Sequence, residues 1–255
     1  MPPTALAILA HPDDAEFLCA GTLARLRAER GWAIHVATMT PGDCGSFEFP
    51  PDEIARIRRA EGRAAAVAIG ATYHCVEERD LRVTYNEAAL EKVVRLINAV
   101  APSVVFTHSP DDYHLDHEQT SKLVRAATFA APIPNFLHGR HLHPPLAHIP
   151  HLFYCYPLEG ADAFGNPIVP AFRIDITSVI EEKARMLECH ESQRNWLRDH
   201  HGVDNLVDSM KEWGAVQGRA CGVPFAEGFR QHLGHSYPKN NLLAELLGIA
   251  VKKEK

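Results

Sequence analysis

Short apolar runs alternate along this chain with stretches of helical periodicity, and that alternation restricts the fold more than any single motif does. Leu6 to Ala10, Ala33 to Thr40, Thr72 to Val76 and Val104 to Thr107 read as strands. Ala15 to Arg30, Asp52 to about Ile69, Glu87 to Val100 and His117 to Phe129 read as helices, with Gly31 and Gly70 just past the ends of the first two. Strand, helix, strand in repetition builds a parallel sheet by crossover connections, so the expected class is α/β: a Rossmann-like, mostly parallel sheet flanked by helices. A chain of 255 residues with 46% hydrophobic content can bury one large core, and a single domain over 1–255 is expected.

Two of the predicted strands end in clusters of histidine and aspartate. The first run closes on Ala10-His11-Pro12-Asp13-Asp14, and Val104 to Thr107 is followed by His108-Ser109-Pro110-Asp111-Asp112-Tyr113-His114-Leu115-Asp116-His117. In a parallel sheet both clusters emerge at the edge where the carboxyl ends of strands meet the loops and ligands bind. Imidazole and carboxylate suit zinc, and a catalytic zinc takes three protein ligands and keeps a position open for water. His11, Asp14 and His117 would supply such a triad. Asp13, adjacent to a ligand but aimed elsewhere, is the natural proton acceptor for the attacking water. His114 is either a ligand or a donor to a developing oxyanion, and Asp116 a carboxylate that fixes a histidine tautomer. Taken alone, the first cluster could equally be a turn whose aspartates cap a helix. The second cluster, placed at another strand end, favours a metal site.

The segments AHPDD at 10–14 and HLDH at 114–117, with Thr40-Pro41-Gly42-Asp43-Cys44-Gly45-Ser46 between them, resemble the PIG-L/LmbE family of zinc-dependent N-deacetylases, which remove acetyl from N-acetylglucosaminyl groups. The resemblance implies zinc on His11, Asp14 and His117, Asp13 as general base, His114 as electrostatic or acid catalyst, and Asp116 as the residue that orients a histidine. It also implies a sugar pocket shaped by the turn that carries Asp43 and Ser46, with Arg58 and Asp80 at positions that meet sugar hydroxyls or a phosphate. The bland alternatives are an ordinary glycine turn and, for Arg58, a solvated pair with Glu61. His190 to Gln193 resembles a late His-x-x-Gln stretch that either reaches the pocket or supports it. The chain departs from the family at Leu115, where proline is common, at Ala20, where glycine is common, and at Asp112, where some relatives place the tyrosine that here stands next door as Tyr113.

Between Ala131 and Pro150 the pattern dissolves into prolines and histidines. His138, His141, His143, His148 and His151 lack regular ligand spacing, so a lid or subunit contact is expected there in preference to a second metal site. His151 to Tyr156 and Arg173 to Ile176 read as further strands and Val179 to about Trp196 as a helix. The rest of the chain, running through Val203 to Val216, reads as helical or irregular.

The formal charge of −6 offers no basic surface to nucleic acid, and no apolar stretch has the length of a signal or a membrane span, so the cytoplasm is the expected compartment. Six cysteines without a CxxC pair give no zinc knuckle. The sequence therefore predicts a zinc hydrolase of amino-sugar conjugates, homo-oligomeric as relatives commonly are, in a site that would also accept Fe2+ or another divalent ion. Two other readings stand beside it: an amidase of a thiol conjugate or other small amide, and a metal- or sugar-binding protein without turnover. Nucleotide binding fails, because neither GxGxxG nor GxxxxGK[ST] follows a predicted strand.

Overall fold

The computed structural model describes residues 2–194 and 205–251. Its centre is the strand β1 (Thr4–Leu9), in which Ala5, Ala7 and Leu9 face one apolar cluster while Leu6 and Ile8 face another. A strand buried on both faces reads as a continuous apolar run, as this one does. Around it lie β2 (Ala33–Thr38), β3 (Thr72–Cys75), β4 (Val104–Thr107), β5 (His151–Cys155), β6 (Phe172–Asp175) and β7 (Ala226–Gln231) in the order β3-β2-β1-β4-β5-β7-β6. The first five positions pair in parallel, and β7 runs antiparallel to both of its neighbours.

Helices cover both faces. They are α1 (Asp14–Leu18), α2 (Ala20–Arg30), α3 (Pro51–Ala68), α4 (Glu87–Val100), α5 (Leu115–Ala130), α6 (Ile180–Glu188), α7 (Leu206–Cys221) and α8 (Leu242–Leu247), and residues 191–194 are helical as well. On α4, Leu90, Val93, Val94 and Ile97 form one buried stripe at helical spacing, and the Asn86 side chain caps the start by accepting from Ala89 N. The α4 and α5 face packs one cluster, and α1, α2, α6 and α7 contribute to the other.

Three expectations are corrected here. The stretch from Ala15 to Arg30 is two helices, because Cys19 leaves helical geometry at φ −147°. The backbone groups freed by this break find distant partners. Lys183 Nζ donates to Phe17 O at 3.0 Å, and the Glu227 carboxylate accepts from Gly21 N at 2.9 Å and Thr22 N at 2.7 Å. Lys183 and Glu227 are themselves an ion pair at 2.6 Å, both buried. The helix expected from Val179 ends at Glu188, with Cys189 and His190 between it and the helical residues 191–194; Trp196 lies outside the described residues. The third correction is β7, which no apolar pattern announced. Its buried Glu227 makes an interior strand read as polar.

The excursion from Ala131 to Pro150 packs on α4 and α5. Leu137 is buried in their cluster, Arg140 pairs with Glu91, and Arg95 donates to Arg140 O. Among the described residues, no hydrogen bond or ion pair from it reaches the loops that carry His11 and His117, so the lid expectation finds no contact to rest on.

Candidate metal centre

The β1–α1 and β4–α5 connections meet at the carboxyl edge of adjacent strands, and this brings the two His/Asp clusters together. His11, Asp14 and His117 are all buried, and one ligand atom from each lies within 4.8 Å of the others. His11 Nδ1 is 3.5 Å from Asp14 Oδ2, and His117 Nε2 is 3.5 Å from Asp14 Oδ1. Ligand atoms at about 2 Å around a tetrahedral zinc stand roughly 3.3 Å apart, so these spacings fit one ion.

The remaining nitrogen of each ring faces a carboxylate. His117 Nδ1 lies 2.9 Å from Asp112 Oδ1, and His11 Nε2 lies 3.1 Å from Asp80 and 3.4 Å from Asp116. A carboxylate behind a metal-binding histidine fixes its tautomer and orientation. Without an ion the charges answer one another. Burial works against a charged His11, but the carboxylates of Asp116, Asp14 and Asp80 hold its pKa well above the usual value. Burial likewise opposes ionised Asp14, and His117 above all holds its pKa well below the usual value.

Asp13 occupies a strained left-handed backbone at φ 104°. Arg58 fixes this turn by donating to Pro12 O at 2.7 Å and lies 3.5 Å from the Asp13 carboxylate. Burial pushes the Asp13 pKa up to about 6 against the pull of Arg58. His114 caps α5, its Nδ1 accepting from Asp116 N at 3.1 Å. That bond leaves the proton of the neutral ring on Nε2, and burial, with the charge of His11 and His117, lowers its pKa and keeps it neutral.

The four residues expected at substrate are engaged within the protein. Asp43 accepts from Asp80 N and pairs with Arg79, and Asp80 accepts from Cys44 N while facing His11. Arg58 is buried under the Gly42 turn, where a Cβ at Gly42, itself at φ +72°, would collide with the guanidinium. Ser46 Oγ accepts from Glu48 N and Phe49 N and closes a local turn. Asp116 accepts from Leu81 N at 2.7 Å and Val83 N at 3.2 Å besides facing His11.

Three contributors escaped the sequence reading. Asp112 was read only against a missing tyrosine, yet it stands five residues before the histidine it holds. His108 stacks on His117 at 3.8 Å between ring centroids, and its Nε2 accepts from Ala10 N and lies 3.1 Å from Asp14. Its place directly after β4 was the available signal. Burial pushes its pKa down to about 4, so it supports the centre as a neutral ring. Glu16 is buried 3.6 Å from His190, behind Asp13.

Fold and site together define the class, an α/β enzyme with a metal-competent His–Asp–His group at the carboxyl edge of its sheet. Residues 6–128 match the family described as PIG-L, GlcNAc-PI de-N-acetylase. It is 26% identical over 239 residues to the 4-oxalmesaconate hydratase of Pseudomonas putida, covering 89% of this chain and 88% of that one. It is also 26% identical over 245 residues to the 1D-myo-inositol 2-acetamido-2-deoxy-alpha-D-glucopyranoside deacetylase of Actinosynnema mirum, covering 79% and 84%. In fold it resembles the N,N'-diacetylchitobiose deacetylase of Pyrococcus horikoshii, with a TM-score of 0.77 at 24% identity over 94% of this chain and 88% of that one.

Proposed function

We propose that this enzyme is a zinc-dependent N-deacetylase that hydrolyses the acetamide of an N-acetylglucosamine-type conjugate. The observation that carries the reading is the division of labour between neighbours: Asp14 sits between His11 and His117, while Asp13 beside it stands outside that group, 3.5 Å from Arg58. A structural metal site has no need of that second carboxylate.

His11, Asp14 and His117 would hold the ion, which when bound supplies Lewis acidity to the amide carbonyl and to attacking water. The Asp13 carboxylate accepts the proton that water loses as it adds to the carbonyl carbon. His114 donates from Nε2 to the oxygen of the tetrahedral intermediate. Asp13 then returns its proton to the departing amine as the C–N bond breaks. The products are acetate and the free amino sugar.

A second reading rests on the Pseudomonas putida relative, whose name describes addition of water to 4-oxalmesaconate and which the chain matches along most of its length. The local charge disfavours an anionic substrate. Arg58, the buried cation beside Asp13, is already held by Pro12 O and the Asp13 carboxylate, and Asp13, Asp14, Asp80, Asp112 and Asp116 crowd the same place. Incubation of the zinc-loaded protein with methyl N-acetylglucosaminide, scored for acetate and free amine, decides between them. Equimolar release of both supports the deacetylase, and hydration of 4-oxalmesaconate without amine release from any acetamide overturns it.

The reading takes 1–255 as one domain, supported by the pairing of the late strand β7 with β5 and β6. No helix among the described residues is long and apolar enough to cross a membrane, in keeping with a cytoplasmic enzyme. Exposed Phe164 and Leu142 are apolar surface suited to a homo-oligomer, which light scattering tests.

A further inference from the structure

Leu81 stands where neither backbone nor solvent favours a leucine. Its φ is +62°, in the left-handed region that disfavours side chains with a Cβ, and the residue is 64% exposed. The other non-glycine residues at left-handed φ among the described ones are Asp13, Glu77, Ala101, His138, Glu159 and Ser236, all small, polar or charged. Leu81 is the large apolar member of that set.

Its conformation is imposed from the metal centre. Asp80 N donates to Asp43 Oδ1 at 2.8 Å, Leu81 N donates to Asp116 Oδ2 at 2.7 Å, and Val83 N donates to Asp116 Oδ1 at 3.2 Å. Val83 is buried and anchors the loop, so Leu81 is not needed for that purpose. Asp116 belongs to the first turn of α5, and on either side of His114 at that turn stand Tyr113, 57% exposed, and Leu115, 64% exposed. The Tyr113 ring lies 5.8 Å from that of His114 and 5.4 Å from that of His117.

We propose that Leu81 is a specificity-determining contact for an apolar aglycone, an alkyl or aryl group attached to the amino sugar, seated against Leu81, Tyr113 and Leu115 at the rim of the metal centre. In the free protein this leucine is strained and wet, and strained residues at such places persist where a bound partner uses them. The groups that face the acetamide, Asp13 and His114, are polar. The apolar contact therefore falls to the part of the substrate outside it. The choice of sugar rests on the deacetylase reading, whereas the apolar contact rests on Leu81 alone.

Leu81→Gly and Leu81→Asn suit the left-handed backbone and remove the apolar surface. Both variants are expected to keep their metal content and to hold or raise Tm, by about 2–4 °C where strain is relieved. With hexyl and methyl N-acetylglucosaminides as probes, wild type is expected to favour the hexyl glycoside. In the variants KM for the hexyl glycoside rises roughly ten-fold while kcat and the methyl KM stay within about two-fold, a loss in the range of a partly buried leucine. A fall in Tm in both variants makes Leu81 a packing residue and overturns the proposal. So does an equal KM for the two glycosides in wild type, or a change in assembly mass with an unchanged hexyl-to-methyl ratio, which assigns Leu81 to a subunit contact. If neither glycoside releases amine, the deacetylase reading fails, and calorimetric binding of the same glycosides judges Leu81 separately. A hexyl preference lost in Leu81→Gly supports the contact, and its absence in wild type overturns it.

Discussion

The Asp112 carboxylate lies 2.9 Å from Nδ1 of His117, while Nε2 of the same ring faces Asp14 at 3.5 Å. One nitrogen is thus committed to a carboxylate and the other is presented to the position proposed for the metal. Such outer partners typically contribute about 10- to 100-fold to metal affinity. Asp112→Ala is expected to weaken zinc binding by a factor in that range, read by competition with a chromophoric chelator, with Asp112→Asn in between. Unchanged affinity in Asp112→Ala would remove the orienting role.

Asp13→Ala separates base from ligand. The variant is expected to hold zinc at the wild-type stoichiometry and to lose about 10²- to 10⁴-fold in kcat, because the attacking water loses its proton acceptor. Metal content and amine release measured on one preparation give the answer. Loss of the metal makes Asp13 a ligand, and wild-type turnover ends its role as base.

Removal of the metal tests the site against the fold. Leu6, Ile8, Val105 and Phe106 are wholly buried in apolar clusters on the two faces of the sheet, so the sheet does not depend on the ion. Treatment with a chelator is expected to abolish amine release while far-UV circular dichroism keeps its native shape, and one equivalent of zinc is expected to restore activity. An unfolded apoprotein would show that the ion is structural.

Lys183→Met leaves Glu227 buried without its cation, and loss of one member of a buried pair typically destabilises by about 3–5 kcal/mol. The double variant Lys183→Met with Glu227→Gln removes both charges and keeps an acceptor for one of the two donors Gly21 N and Thr22 N, so it is expected to regain part of that loss in denaturant unfolding. A double variant as unstable as the single one would mean that hydrogen-bond geometry, not charge, decides the effect.

What the sequence made legible follows from where each residue finds its partner. The run from Glu87 to Val100 carries a cap and an apolar stripe of its own, and the helix has those bounds. That His11, Asp14 and His117 meet was readable because strand ends declare which edge they share. The break at Cys19 was not, since the groups that satisfy it come from Lys183 and Glu227, far along the chain. For the same reason β7 read as polar. Asp43 and Arg58 carry the residue types of sugar contacts, yet they spend their hydrogen bonds on Asp80 N and Pro12 O, a difference that only three-dimensional neighbours reveal.

The reach of Glu227 to Gly21 spans 206 positions of chain. Synthesis delivers His11, Asp13 and Asp14 long before β7, but the helix break just after them is fastened only when β7 arrives and docks. Closing so long a loop is entropically slow, and the local parts of the fold form ahead of it. Residues made well ahead of β7 are therefore held in place only after it, and a nascent chain stopped short of β7 would carry His11, Asp13 and Asp14 without the clasp on the helix that follows them.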